Sequence, residues 1–364
     1  MTISERPVSE SGAAPDSTPS PSAEAGPTLA KASWWRDNAA EPVKRNLGLV
    51  GVLLVIFAVG VVTQPGLFLD ASWLWNNELL ILTQASAIGV IAVGMTFVMI
   101  GGGIDLSVGA LVALTSVVCT LDVYQQFGPY VMILVAMGAG TFAGLINGVL
   151  IACGRIVPFI ATLAMLVAAR GLAQFLSGKL TQRVWPDNSF IPNLASERVG
   201  GIPALVLILF GVAALGWVLL NRTTFGRRTF AVGGNPEAAR LAGIDIRLHS
   251  MLLYALSGLC CGIGAVMIVS LSSAGAADHG DLYELDAIAA AIIGGTALAG
   301  GRGTIVGSIL GVIVFKGITN LFIVNNLEQE YQLIVKGAII IGAVLVQGFS
   351  VTSLVRKRKA LTTT

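Results

Sequence analysis

The sequence predicts an all-α polytopic membrane protein of about ten transmembrane helices, with broken or re-entrant glycine-rich segments. Three observations carry this reading. Only 12% of the 364 residues are charged, while 55% are hydrophobic; a soluble domain carries roughly 25% charged residues because its surface faces water. Ten apolar runs approach the roughly 20 residues that a helix needs to cross a ~30 Å hydrocarbon core. Glycine is abundant, at 44 residues, and in lipid small residues let helix backbones approach closely where no hydrophobic drive brings them together.

Residues 1–45 are expected to form a disordered cytoplasmic N-terminal tail. Its first part, SESGAAPDSTPSPSAEAGP, is too polar to offset its chain entropy by burial and is expected to be disordered. The apolar runs then fall near 46–64, 80–100, 104–122, 129–152, 157–177, 203–221, 250–272, 286–301, 303–324 and 331–349. Only Gly101–Gly103 separates the second run from the third, and 286–301 is short and split by glycines. Both places are expected to be broken or re-entrant. The transmembrane domain therefore covers 46–350, with a cytoplasmic loop at 221–249, and 351–364 forms a basic C-terminal tail.

Positive charge orients the array. With the N-terminus inside, the inner segments carry Lys31, Arg36, Lys44 and Arg45, then Arg155, then Arg222, Arg227, Arg228, Arg240 and Arg247. Arg302 follows, and the run ends with Arg356, Lys357, Arg358 and Lys359. The outer segments 65–79, 123–128, 273–285 and 325–330 hold no Lys or Arg. Only the 178–202 loop dissents, with Lys179, Arg183 and Arg198. Both termini are expected in the cytoplasm.

Cys119, Cys153, Cys260 and Cys261 all lie in apolar runs without metal-site spacing, and His249 and His279 have no partner at metal or triad spacing. No cofactor or metal is expected. The formal charge of +2 gives no footprint for nucleic acid. No G-x-x-x-x-G-K-[ST] phosphate loop occurs, so any ATP would have to be hydrolysed elsewhere.

Two glycine ladders, Gly140/Gly144/Gly148 and Gly303/Gly307/Gly311, each place a flat groove on one helix face. A weak internal repeat matches Gly102-Gly103 and Val108-Gly109 to Gly300-Gly301 and Val306-Gly307 at a constant offset of 198. Transporters are often built from such repeats, with their sites at the broken helices.

Two motifs carry the functional reading. In GGGIDLSVG (Gly101–Gly109), three glycines break the helix, and backbone freed at membrane depth has to be satisfied by protein or a water-filled cavity. Asp105 and Ser107 follow at once, either capping the next helix or forming a polar hinge on a substrate path. In the 221–249 loop, Asn235 suits an N-cap, Pro236 a first turn and Gly243 a stop, which bounds a short helix between two spans.

The combination of GGGIDLSVG, FGRRTFAVGGNPEAARLAGI and LDAIAAAIIGGTALAGGRGTIVGS, in this order across residues 46–350, resembles the permease subunits of ribose-type monosaccharide ABC importers. The resemblance implies a multi-pass protein of a bacterial inner membrane that is not itself an enzyme. It implies that Gly234, Asn235, Pro236, Glu237, Ala238, Ala239 and Arg240 dock on a separate ATPase subunit. It further implies an extracytoplasmic sugar-binding protein and a second permease subunit, identical or paralogous, enclosing one path.

Intramembrane polar groups complete the candidates, since burying them is costly unless they are paired or hydrated. Arg170, with Gln174 one turn on, is a candidate for the path; Asn147, inside a glycine ladder, is placed to hydrogen-bond either sugar hydroxyls on the path or a neighbouring helix. Lys316 and Lys336 are expected to reach for the headgroups. Two rivals remain. A branched-chain amino acid permease would want countercharges for carboxylate and ammonium. An ion-coupled carrier would want an intramembrane carboxylate relay, for which only Asp105 is available.

Overall fold

In the computed structural model, residues 28–328, 330–342 and 344–345 are described, with side chains from Asn46 onward. The segment before residue 28, the 351–364 tail and the side chains of Lys31, Arg36, Lys44 and Arg45 lie outside the described residues. The chain forms two compact units, Met1–Ala40 and Glu41–Thr364, and the transmembrane array belongs to the second.

Helix α1 (Thr28–Thr63) begins inside the stretch expected to be tail, and α2 (Pro65–Phe68) is a single turn after it. Then come α3 (Ala71–Ile100), α4 (Val108–Cys119), α5 (Asp122–Gln125), α6 (Pro129–Ala152) and α7 (Pro158–Ser177). The second half holds α8 (Phe190–Ser196), α9 (Ala204–Arg222), α10 (Thr224–Gly234), α11 (Pro236–Leu241), α12 (Ile246–Ser272), α13 (Tyr283–Ile293) and α14 (Ile305–Val324). Residues 330–342 are again helical.

The starts follow from local chemistry. The Asp70 carboxylate accepts from the Ser72 and Trp73 amides at 2.8 and 3.0 Å to open α3. Asp245 does the same for α12 through Leu248, and Thr304 for α14 through Gly307. Prolines open α6 and α7, where a missing N–H costs nothing. Gly178, with φ of 59°, closes α7 in the left-handed region.

Among the described residues, seven helices are long and apolar enough to cross a membrane: the Asn46–Thr63 part of α1, then α3, α6, α7, α9, α12 and α14. The two runs expected to be broken are the short ones, α4 with 12 residues and α13 with 11. A 12-residue helix rises only about 18 Å, so neither is long enough to cross a ~30 Å hydrocarbon core by itself. Two of the three runs missing from the expected ten have a plain cause, since each short helix loses its first or last turns to glycines that cannot hold a helix interior; the third, 331–349, falls partly outside the described residues.

Helices α3 and α12 form the buried centre, where Ile91, Met95, Phe97, Met99 and Cys261 are essentially inaccessible. The first glycine ladder packs α6 along α12: a Cβ on Gly140, Gly144 or Gly148 would strike Gly258, Tyr254 or Met251 respectively. Of the second set, Gly303 precedes α14 and faces Ile100 and Thr296 instead, because the helix starts only at Ile305, while Gly307 packs against Gly294 and Gly311 against Ala290. Across α3 and α14, the buried amides of Asn77 and Asn320 bond each other twice, at 2.9 and 3.1 Å. Lys336 does not snorkel; its ammonium lies 3.2 Å from both oxygens of the buried Asp286 carboxylate and ties the last described helix to α13.

The 178–202 loop is built rather than loose. Strand β1 (Gln182–Arg183) pairs antiparallel with β4 (Ala274–Gly275), and β2 (Arg198–Val199) with β3 (Ile202–Pro203). The 273–285 segment, expected as a plain outer loop, instead lies along α4. Ser116 donates to the Ala276 carbonyl at 3.2 Å, and Gly109 abuts Gly280 and Glu284.

Candidate functional site

Three glycine segments meet at one end of the array. The Gly301 amide donates to the Ile100 carbonyl at 2.8 Å, where α3 ends. A Cβ on Gly300 would lie 2.9 Å from Cα of Gly102, and one on Gly301 the same distance from Cα of Gly234. A Cβ on Gly233 would overlap the Ile100 carbonyl oxygen. Gly102 and Gly300 both adopt positive φ, at 86° and 81°, so the turn and the close approach each require glycine. The two helix breaks matched by the repeat thus touch each other, and the end of α10 touches both.

Helix α11 projects from this junction. The Asn235 side chain accepts from the Ala238 amide at 3.0 Å, Pro236 follows, and Gly243 at φ of 82° ends the turn. These are the boundaries expected from sequence. Glu237 and Arg240 form a two-bond ion pair, at 2.6 and 3.2 Å, that pushes the Arg240 guanidinium pKa up. Within α11 only Ala239 is buried, and Leu241 is 77% exposed. The preceding helix α10 went unread in the sequence. Its Thr223 cap accepts from Gly226, and Thr229 bonds His249 at 3.0 Å, anchoring α10 to α12.

The polar candidates separate into two groups. Asp105, Ser107 and Asn147 come together and are wholly buried. One Asp105 oxygen accepts from the Ser107 amide at 3.0 Å and its hydroxyl at 2.6 Å; the other accepts from Ser257 at 2.9 Å. Asn147 donates to the Ser107 oxygen at 2.9 Å, and its own side-chain carbonyl oxygen has no partner among the described residues. The carboxylate therefore locks the start of α4 to α12 and α6. Ser257 carries no sequence signal that distinguishes it from any other small residue in a span.

Arg170 and Gln174 lie elsewhere, on the wall of a cleft of about 570 Å³ shared with Lys179, Thr181, Asp278 and Asp281. The Arg170 guanidinium donates to the Ala277 and His279 carbonyls at 2.6 and 3.0 Å and pairs with Asp281 at 2.7 Å. It satisfies carbonyls of the non-helical 276–281 segment at the end of the array.

Residues 78–344 match the family model described as "Branched-chain amino acid transport system / permease component". The ribose import permease protein of Bacillus subtilis (strain 168) is 37% identical over 313 residues, covering 83% of this chain and 92% of that protein. Its counterpart in Escherichia coli (strain K12) is 36% identical over 296 residues, covering 81% and 91%. The galactofuranose transporter permease protein of Escherichia coli (strain K12) is 34% identical over 312 residues, covering 85% and 91%. No solved structure matches the chain.

Proposed function

The chain belongs to the permease family of ABC importers that includes the ribose import permeases, and from that membership we propose that it carries a neutral monosaccharide inward across the membrane. The family model is described by branched-chain amino acids, but the relatives named above take ribose and galactofuranose. The observation that carries the mechanism is the backbone contact between the base of α11 and both helix breaks. Helix α11, with Gly234, Asn235, Pro236, Glu237, Ala238, Ala239 and Arg240, docks on a separate ATPase. When the ATPases close, α11 moves, and Gly233 and Gly234 pass the motion to Gly102 and Gly300. The starts of α4 and α14 then shift as a pair, and the path changes its open side.

In this reading the chain hydrolyses no ATP and works beside a second permease subunit and an extracytoplasmic binding protein. The inside-positive loops support a cytoplasmic position for α11 and both termini. Asp105, Ser107 and Asn147 frame the path from within the wall, while Arg170 and Gln174 stand on it.

The test is uptake of labelled D-ribose and D-galactose by cells carrying the chain with its ATPase and binding protein, with L-leucine as control. Uptake of either sugar that ceases when the ATPase is omitted supports the reading. Uptake of leucine alone points to the amino acid branch, and sugar uptake that persists without the ATPase points to a secondary carrier.

A further inference from the structure

We propose that the cleft beside Arg170 is a sugar subsite at the extracytoplasmic mouth, in which Gln174, Thr181 and Asp278 hold the ligand and Arg170 holds the wall. This rests on the sugar-import reading above. The position follows from α7. The Thr162 hydroxyl donates to the Ile104 carbonyl at 3.3 Å, beside the glycine junction. At 1.5 Å per residue, Arg170 stands about 12 Å and Gln174 about 18 Å further along the helix. The cleft therefore opens at the end away from α11.

Its volume of about 570 Å³ lies within the range of small-molecule sites, roughly 300–1,000 Å³. One wall is the last turns of α7 and the Lys179–Thr181 turn; the other is the non-helical 276–281 segment. The charges balance, Arg170 and Lys179 against Asp278 and Asp281. Arg170 is already committed to two carbonyls and the Asp281 carboxylate. Gln174, Thr181 and Asp278 have exposed side chains with no side-chain hydrogen bond among the described residues. They offer an amide, a hydroxyl and a carboxylate, the mixed donor and acceptor set that neighbouring sugar hydroxyls use. Arg170 acts through the 276–281 wall. A lysine there keeps the charge but cannot fork to three acceptors.

The experiment uses intact cells with the full transporter in a Cys153→Ser background, since the other three cysteines are buried. An impermeant maleimide labels Thr181→Cys with and without excess D-ribose or D-galactose, and uptake is measured in parallel. The expected result is severalfold slower labelling with the transported sugar, lost when Gln174→Ala or Asp278→Ala is added. Arg170→Lys should speed labelling of Ala277→Cys severalfold, an effect that Gln174→Ala should not produce. Sugar uptake with no protection at Thr181→Cys, and wild-type uptake in Gln174→Ala and Asp278→Ala, would overturn the subsite and leave the import reading intact. Protection by L-leucine with no sugar uptake would overturn both.

Discussion

Gly301 donates its amide to the carbonyl of Ile100, so the loop that precedes α14 is stitched to the end of α3 from the opposite half of the chain. Gly233 sits on the same carbonyl with no room for a methyl group. A push on α11 therefore meets backbone, not side chains that could swing aside.

Gly233→Ala should uncouple transport from hydrolysis. The added methyl must displace the end of α3, while the exposed surface of α11 is unchanged and still binds the ATPase. The ratio of sugar transported to ATP hydrolysed, measured in proteoliposomes, should fall well below wild type. A ratio equal to wild type would remove Gly233 from the relay.

Asp105→Asn should be tolerated, because an amide oxygen still accepts from Ser107. Asp105→Leu strands the Ser107 amide and the hydroxyls of Ser107 and Ser257, at about 1–3 kcal/mol for each unsatisfied group. The amount of folded protein in the membrane should drop sharply for Leu and little for Asn. Uptake normalised to inserted protein should stay near wild type in both; a collapse in the normalised rate for Asn would mean the charge itself serves transport.

Lys336→Met should remove the ammonium bonded to the Asp286 carboxylate and leave that carboxylate with Lys316 as its nearby cation, so the loss should fall below the ~3–5 kcal/mol of a fully uncompensated buried charge. Adding Asp286→Asn should recover much of it. Thermal unfolding in detergent reads both, and equal melting of the single and double variants would show that the pair is not coupled.

Leu241→Cys should be labelled by an impermeant thiol reagent only in inverted vesicles, and Asp187→Cys only in intact cells. Both use the Cys153→Ser background. The reverse pattern would turn the array over and place α11 outside.

Local chemistry was legible in the sequence where one residue type decides the backbone. Asn235, Pro236 and Gly243 bound α11 as read, and the glycines at 101–103 and 294–303 shorten α4 and α13 as read. The 198-residue offset also had physical content, since the two matched breaks lie against each other. What the sequence hid is rotational phase. Ser257 meets Asp105 from 152 residues away, and the carbonyls that hold Arg170 lie 107 and 109 residues on. In a helix apolar on every face, periodicity does not say which side meets a neighbour. Asp105 and Arg170 therefore read as members of one path, although one is sealed inside the wall and the other stands on a cleft.

The shortness of α4 and α13 bears on electrical insulation. Each rises under 20 Å by its length, against a hydrocarbon core of about 30 Å. There, packed turns and the 276–281 segment, which contacts α4 through Ser116 and Gly109, would have to exclude ions in place of a full thickness of oil. A neutral cargo does no work against the membrane voltage, which weighs about 2.3 kcal/mol per elementary charge at 100 mV. A stray proton or sodium ion does. Loosening the segment through Asp281→Asn should therefore register first as a conductance in a planar bilayer, before any change in the rate at which sugar arrives.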